Sequence, residues 1–228
     1  MTAHWIDIAA DGFSGYLSLP PTGRGPGIVL IQEIWGVNEH IRAVADQYAQ
    51  DGYVVLAPDL FWRLERRVDL AYDEAGSARA RQLLQTVDGA QAAADVAAAV
   101  DVLRARPEVS GRVATLGYCF GGQMAFRAAA LAQADAAVCY YGGGIAANLS
   151  LAPRVTMPIL LHHAGLDSLI PPDAVAAIKA AFADHGDAVF LDYPGVGHGF
   201  NCWGRPSYAQ KAAALAHGLT LEFLSQHL

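Results

Sequence analysis

Three cysteines in 228 residues, Cys119, Cys139 and Cys202, are too few and too scattered for a disulfide framework. No uninterrupted apolar run approaches the ~18 residues of a membrane span. Charged residues make up only 16% of the chain, and the formal net charge is −7. That balance offers no basic face for a nucleic acid or an anionic membrane surface. A secretory signal pattern is also lacking, because Met1-Thr2-Ala3-His4-Trp5-Ile6-Asp7 places polar residues where an apolar core would be needed. Internal repeats, low-complexity tracts and linkers are absent as well. These absences predict a cytoplasmic protein with residues 1–228 in one domain and neither nucleic acid nor membrane as partner. What is abundant is apolar: 54% of the residues, ample for a substantial core.

Pattern and punctuation supply the architecture. Phe13–Leu19 reads as an early, antiparallel strand ended by Pro20-Pro21. Continuous apolar runs at 27–31 and 53–57 read as buried strands, with further strands at 113–116, 136–140, 158–162 and 188–193. Between them, Ile41, Val44, Ala45 and Tyr48 have helical spacing over 40–50. Val96, Val100 and Leu103 mark a second helix over 91–104, stopped at Pro107. Helices are predicted over 123–131, 173–184 and 207–228. Alternation of this kind predicts an α/β fold, a mostly parallel central sheet flanked by helices on both faces. Functional residues are then expected on loops at the carboxyl ends of the strands.

The most informative of these junctions is Gly117-Tyr118-Cys119-Phe120-Gly121-Gly122, between an apolar strand and a helix. A strand, a tight Gly-x-nucleophile-x-Gly turn and a helix form a nucleophile elbow, here with Cys119 in the nucleophile position. A buried apolar cysteine at an ordinary turn is the blander alternative. Two later loops argue against it: Asp167 follows the strand ending near His163, and the glycine-flanked His198 follows Tyr193. The order Cys119, Asp167, His198 is that of nucleophile, acid and base in α/β-hydrolases. A thiol must ionise to attack, a histidine can hold or take its proton, and a carboxylate fixes the imidazole tautomer. Asp192 is a rival partner for His198, although a strand residue reaches across less readily than a loop one. His162 and His163 read as strand-end structure, and His4, His185, His217 and His227 as surface residues.

The run Gln32-Glu33-Ile34-Trp35-Gly36-Val37-Asn38 ends the strand over 27–31. With the Gly-Tyr-Cys-x-Gly-Gly elbow, the loop aspartate and the Gly-x-x-His-x-Phe segment, it resembles the dienelactone hydrolase (carboxymethylenebutenolidase) family over nearly the whole chain. The resemblance implies an α/β-hydrolase that opens an enol-lactone without cofactor or metal. It also implies that Glu33 is a switchable base for a resting neutral Cys119 thiol, and that the N–H groups of Ile34 and Phe120 form the oxyanion hole. The alternative role for Glu33 is a carboxylate capping the following helix.

The chain departs from that pattern at the substrate. Members that degrade dienelactones carry an arginine four residues after the histidine, where this chain has Cys202, and the nearest arginine is Arg205. A cationic subsite would have to come from Arg63, Arg79, Arg81 or Arg205. Trp35, Phe61, Trp62, Tyr141, Phe200 and Trp203 are candidate apolar walls. The expectation is a hydrolase for a small activated ester or lactone, working as a monomer or small homo-oligomer. A carboxylesterase or thioesterase on the same scaffold is the alternative, and a non-catalytic ligand-binding protein a more distant one.

Overall fold

The computed structural model describes residues 2–131 and 134–228. Eight strands form one sheet: β1 (Thr2–Asp7), β2 (Ser14–Leu19), β3 (Gly25–Ile31), β4 (Val54–Pro58), β5 (Val109–Tyr118), β6 (Ala136–Tyr140), β7 (Ile159–Ala164) and β8 (Ala188–Tyr193). Their spatial order is β1-β2-β4-β3-β5-β6-β7-β8. The β1–β2 and β2–β4 pairs are antiparallel, and every pair from β4 to β8 is parallel. The helices are α1 (Glu39–Gln50), α2 (Glu74–Thr86), α3 (Gly89–Arg104), α4 (Phe120–Ala129), α5 (Pro172–Ala181) and α6 (Gln210–His227), with a 3₁₀ segment over Ala146–Arg154. No described helix is long and apolar enough to cross a membrane.

The period of two along β3 shows how the layers form. Ile28 and Leu30 point into one core with Ile41, Val44 and Tyr48 of α1 and Phe223 and Leu224 of α6. Val29 and Ile31 point into the other, with Val96, Val100 and Leu103 of α3 and Met124 and Phe126 of α4. A strand buried on both faces needs apolar residues at every position, and that is why these runs are continuous. The mostly parallel sheet with helices on both faces is therefore the architecture this chain adopts.

One strand has no counterpart in the sequence reading. β1 lies at the sheet edge, pairs only with β2, and is largely exposed. The helix over 207–228 also begins later than expected, at Gln210.

Candidate active site

β5 runs into α4 through a turn too tight for side chains at its crossing points. A Cβ on Gly117 would lie 2.1 Å from the Gly121 carbonyl oxygen, and one on Gly121 would lie 2.3 Å from that of Ile31. Only glycine fits either place. The residue held between them, Cys119, has φ 56° and ψ −114°, a conformation rare for a side-chain-bearing residue. Its N–H donates to the Tyr140 carbonyl at 3.0 Å, so the neighbouring strand β6 holds the strained turn in place. Phe120 is the first residue of α4, whose N–H has no carbonyl a turn earlier to bond.

The loops after β7 and β8 bring Asp167 and His198 together. His198 Nδ1 lies 2.8 Å from Asp167 Oδ2, with the carboxylate buried and the imidazole partly so. Asp167 Oδ1 accepts from the Leu169 and Ile170 N–H groups at 2.8 and 3.3 Å, which fixes the carboxylate before the imidazole meets it. Burial works against imidazolium at His198, yet Asp167 and the Cys119 sulfur outweigh it and raise the pKa to about 10. His198 Nε2 is buried without a partner of hydrogen-bonding geometry among the described residues, though Cys119 is close enough to act on the ring. The Tyr141 ring stands edge-on to the imidazole at 5.0 Å and packs against Phe200 at 5.4 Å. Asp192 pairs instead with Lys179. His162 is buried between the hydroxyls of Tyr193 and Thr220, and burial lowers its pKa to about 3, so it is a neutral structural group.

Glu33 is 1% exposed and sits in a buried polar cluster. Arg205 Nη1 is 3.4 Å from Oε1, and the Tyr72 hydroxyl donates to Oε2 at 3.4 Å. Desolvation raises the Glu33 pKa, against the opposing pull of Arg205, His198 and the hydrogen bonds from Tyr72 and Cys202. It does not cap α1: Asn38 does that, accepting from the Ile41 N–H at 3.1 Å. Tyr72 is brought to Glu33 by backbone pairing of the 69–72 segment with the loop after β3. Gly36 and Asp69 form an isolated bridge, the Leu70 N–H donates to the Trp35 carbonyl at 3.1 Å, and Asn38 Nδ2 donates to the Leu70 carbonyl.

The remaining candidates fall into two groups. Trp35, Cys202 and Arg205 surround Glu33, with the guanidinium 4.7 Å above the Trp35 ring. Burial first, and Glu33 next, push the Cys202 thiol up to about 12. Trp203 packs on His40 with ring centroids 4.2 Å apart. Arg63, Arg79 and Arg81 are elsewhere: Arg63 forms an ion pair with Asp95 over the Trp62 ring, Arg79 pairs with Glu65, and Arg81 is exposed on α2. Tyr72 and His40 were not singled out in the sequence. Each is an ordinary residue of a loop or helix start until the fold sets it beside Glu33 or Trp203. Among the described residues, no three His, Cys, Asp or Glu side chains are grouped to hold a metal ion.

Comparison with known proteins identifies the family. Carboxymethylenebutenolidase 1 of Cupriavidus pinatubonensis is 33% identical over 93% of this chain and 91% of its own length. The carboxymethylenebutenolidase of Pseudomonas sp. strain P51 is 34% identical over 97% and 93%. A solved dienelactone hydrolase-like promiscuous phosphotriesterase from metagenomic libraries superposes with a TM-score of 0.82, at 26% identity over 99% and 98% of the two chains. The family model for dienelactone hydrolases matches residues 13–228. With the sheet order and the elbow already described, this makes the chain an α/β-hydrolase-fold enzyme, a hydrolase of the dienelactone hydrolase type, and it belongs to the dienelactone hydrolase family.

Proposed function

We propose that the chain hydrolyses a small activated ester or lactone through a Cys119-His198-Asp167 triad and an acyl-thioester intermediate. The observation that carries this reading is the 2.8 Å His198–Asp167 contact beside a cysteine held in the left-handed elbow. A protonated His198, favoured by Asp167, cannot itself take the thiol proton. Glu33 is suited to that step, since a buried carboxylate of raised pKa is a stronger base than an exposed one. Arg205 and Tyr72 hold it in the resting state, and substrate entry releases it toward Cys119.

The Cys119 thiol gives its proton to Glu33, and its sulfur forms a bond to the substrate carbonyl carbon. The oxygen takes up negative charge, held by the N–H groups of Ile34 and Phe120, each worth roughly 3–4 kcal/mol where such donors have been measured. Collapse breaks the carbon–oxygen bond to the leaving group, which takes the His198 proton. The neutral imidazole then accepts a proton from water as the hydroxide attacks the thioester. Collapse breaks the carbon–sulfur bond and the carboxylic acid leaves; the released thiolate takes its proton back from Glu33, and His198 keeps the one from water, which restores the resting site.

The substrate side favours uncharged esters. Cys202 is buried and neutral where the family resemblance leads one to expect an arginine, so an ordinary carboxylesterase or thioesterase activity on this site is the second reading. A panel of dienelactones, aryl esters and acyl thioesters separates the two. The mechanism is tested by quenching the reaction with 4-nitrophenyl acetate and locating the acyl group by peptide mass spectrometry. Acetyl on Cys119, removable by hydroxylamine, is expected. Unchanged turnover by Cys119→Ala would rule the mechanism out.

A further inference from the structure

A cleft of about 550 Å³ opens between α1 and the loops around Tyr72 and Trp203. Its size is that of a small-molecule site. Three rings make a corner in it: the His40 plane stands at 74° to Trp203, with centroids 4.2 Å apart, and at 70° to Tyr72 at 6.1 Å. The Trp203 side is unpacked, leaving the residue 44% exposed. An indole open to solvent beside two further rings is an apolar wall without an occupant.

Within this corner the His40 ring lacks polar partners: it is 6% exposed, its Nδ1 is sealed from the cleft without a hydrogen bond, and its Nε2, which is not sealed, has none among the described residues. Such groups in folded proteins are rare and call for an explanation. Burial, and then the Arg205 charge, lower the His40 pKa to about 4, so the ring is neutral and can accept a hydrogen bond at one nitrogen.

Charge around the cleft selects against ions of either sign. At the rim stand the Glu39 and Asp69 carboxylates, which oppose an anion. Asp69 is already engaged by Arg42 at 2.9 Å and by the Glu39 N–H. At the inner end Arg205 is paired with Glu33 at 3.4 Å and is not free to hold an ion either, so a charged ligand of either sign would lose hydration in the corner without a partner.

We propose that this cleft binds an uncharged aromatic ring carrying a hydroxyl, with the ring against Trp203 and Tyr72 and the hydroxyl donating to His40. Phenol is the simplest such ligand. The inner wall of the cleft is Tyr72, whose hydroxyl reaches Glu33, so the bound ring is one side chain from the reacting region. Identifying the ring with the alcohol portion of the ester rests on the function proposed above, whereas the binding itself does not.

Calorimetric titration of the Cys119→Ala protein with phenol, sodium benzoate and benzylammonium chloride tests the site without turnover. Saturable one-to-one binding of phenol, at least tenfold tighter than either ion, is expected. Trp203→Ala should weaken it tenfold or more. Ala43→Phe, which sets a ring into the cleft from α1, should abolish it. If Ala43→Phe does not fold, Trp203→Ala still decides, because its indole is nearly half exposed. Absence of saturable phenol binding, equal affinity for the ions, or insensitivity to Trp203→Ala overturns the proposal. Phenol binding by a protein that hydrolyses no ester would leave the site standing and remove the proposed function instead.

Discussion

Arg205 Nη1 lies 3.4 Å from Glu33 Oε1, joining residues 172 positions apart in the chain. The guanidinium also lies over the Trp35 and Tyr72 rings, so this one cation is satisfied from three sides by the protein itself. Glu33 leaves this cation only to take the thiol proton and then returns, whereas a bound substrate carboxylate would keep it out for the whole turnover, with a buried carboxyl to be accommodated elsewhere. That exchange costs more than it returns unless the new contact is bidentate. The expected outcome is that a methyl ester is hydrolysed with at least tenfold higher kcat/KM than the corresponding free-acid lactone, about 1.4 kcal/mol. Steady-state kinetics on the matched pair measure it, and a preference for the acid would show that Arg205 is free to bind it.

Glu33 gives a prediction whose sign can be worked out. Its folded pKa is raised, so folding takes up a proton where the unfolded chain would release one. The stability linked to Glu33 is present at low pH and is lost as pH rises through the folded value. Gln at this position carries no such cost. Thermal melts should therefore show the Tm of Glu33→Gln, relative to the parent, increasing from pH 5 to pH 8. Single-turnover acylation should fall strongly over the same range. Preserved acylation would remove Glu33 from the proton-transfer step.

His198 behaves in the opposite sense. Its pKa of about 10 in the folded chain exceeds the unfolded value, so its stabilisation is complete below ~6.5 and lost as pH rises toward 10. Asp167→Asn removes one of the two groups that favour imidazolium. The parent should lose stability between pH 7 and 10 by chemical denaturation, and the variant much less. Its kcat should drop by up to ~10⁴, the loss seen when a triad imidazole is left in the wrong tautomer.

How far this was legible in the sequence depends on whether a residue's demand is local. Gly117 and Gly121 could be read because the turn tolerates no Cβ, a requirement that leaves glycines at fixed spacing. The buried strand over 136–140 could be read to the residue because its run is continuous. β1 could not, since an exposed edge strand with one neighbour needs no such run. Tyr72 and His40 carry no local signature either. Tyr72 reaches Glu33 only because the 69–72 segment pairs with the loop after β3, a contact that no periodicity encodes. Arg205 was visible as the arginine nearest the empty family position, but its pairing with Glu33 was not.

The strained elbow supplies the last test. Cys119 is held at φ 56° by the crossing of Gly117, Gly121 and the Ile31 carbonyl, a conformation costing of order 1–3 kcal/mol for a residue with a Cβ. Alanine keeps the Cβ and the strain, whereas glycine removes both. The Cys119 side chain packs only partly against the core, so little apolar contact is lost in either variant. Both variants should lack esterase activity, and Cys119→Gly should be more stable than Cys119→Ala by about 1 kcal/mol or more, despite the general preference for alanine over glycine. Denaturant melts of the two proteins settle it. Equal stability, or a more stable alanine variant, would mean that the left-handed turn costs nothing and that the elbow is not a reservoir of strain.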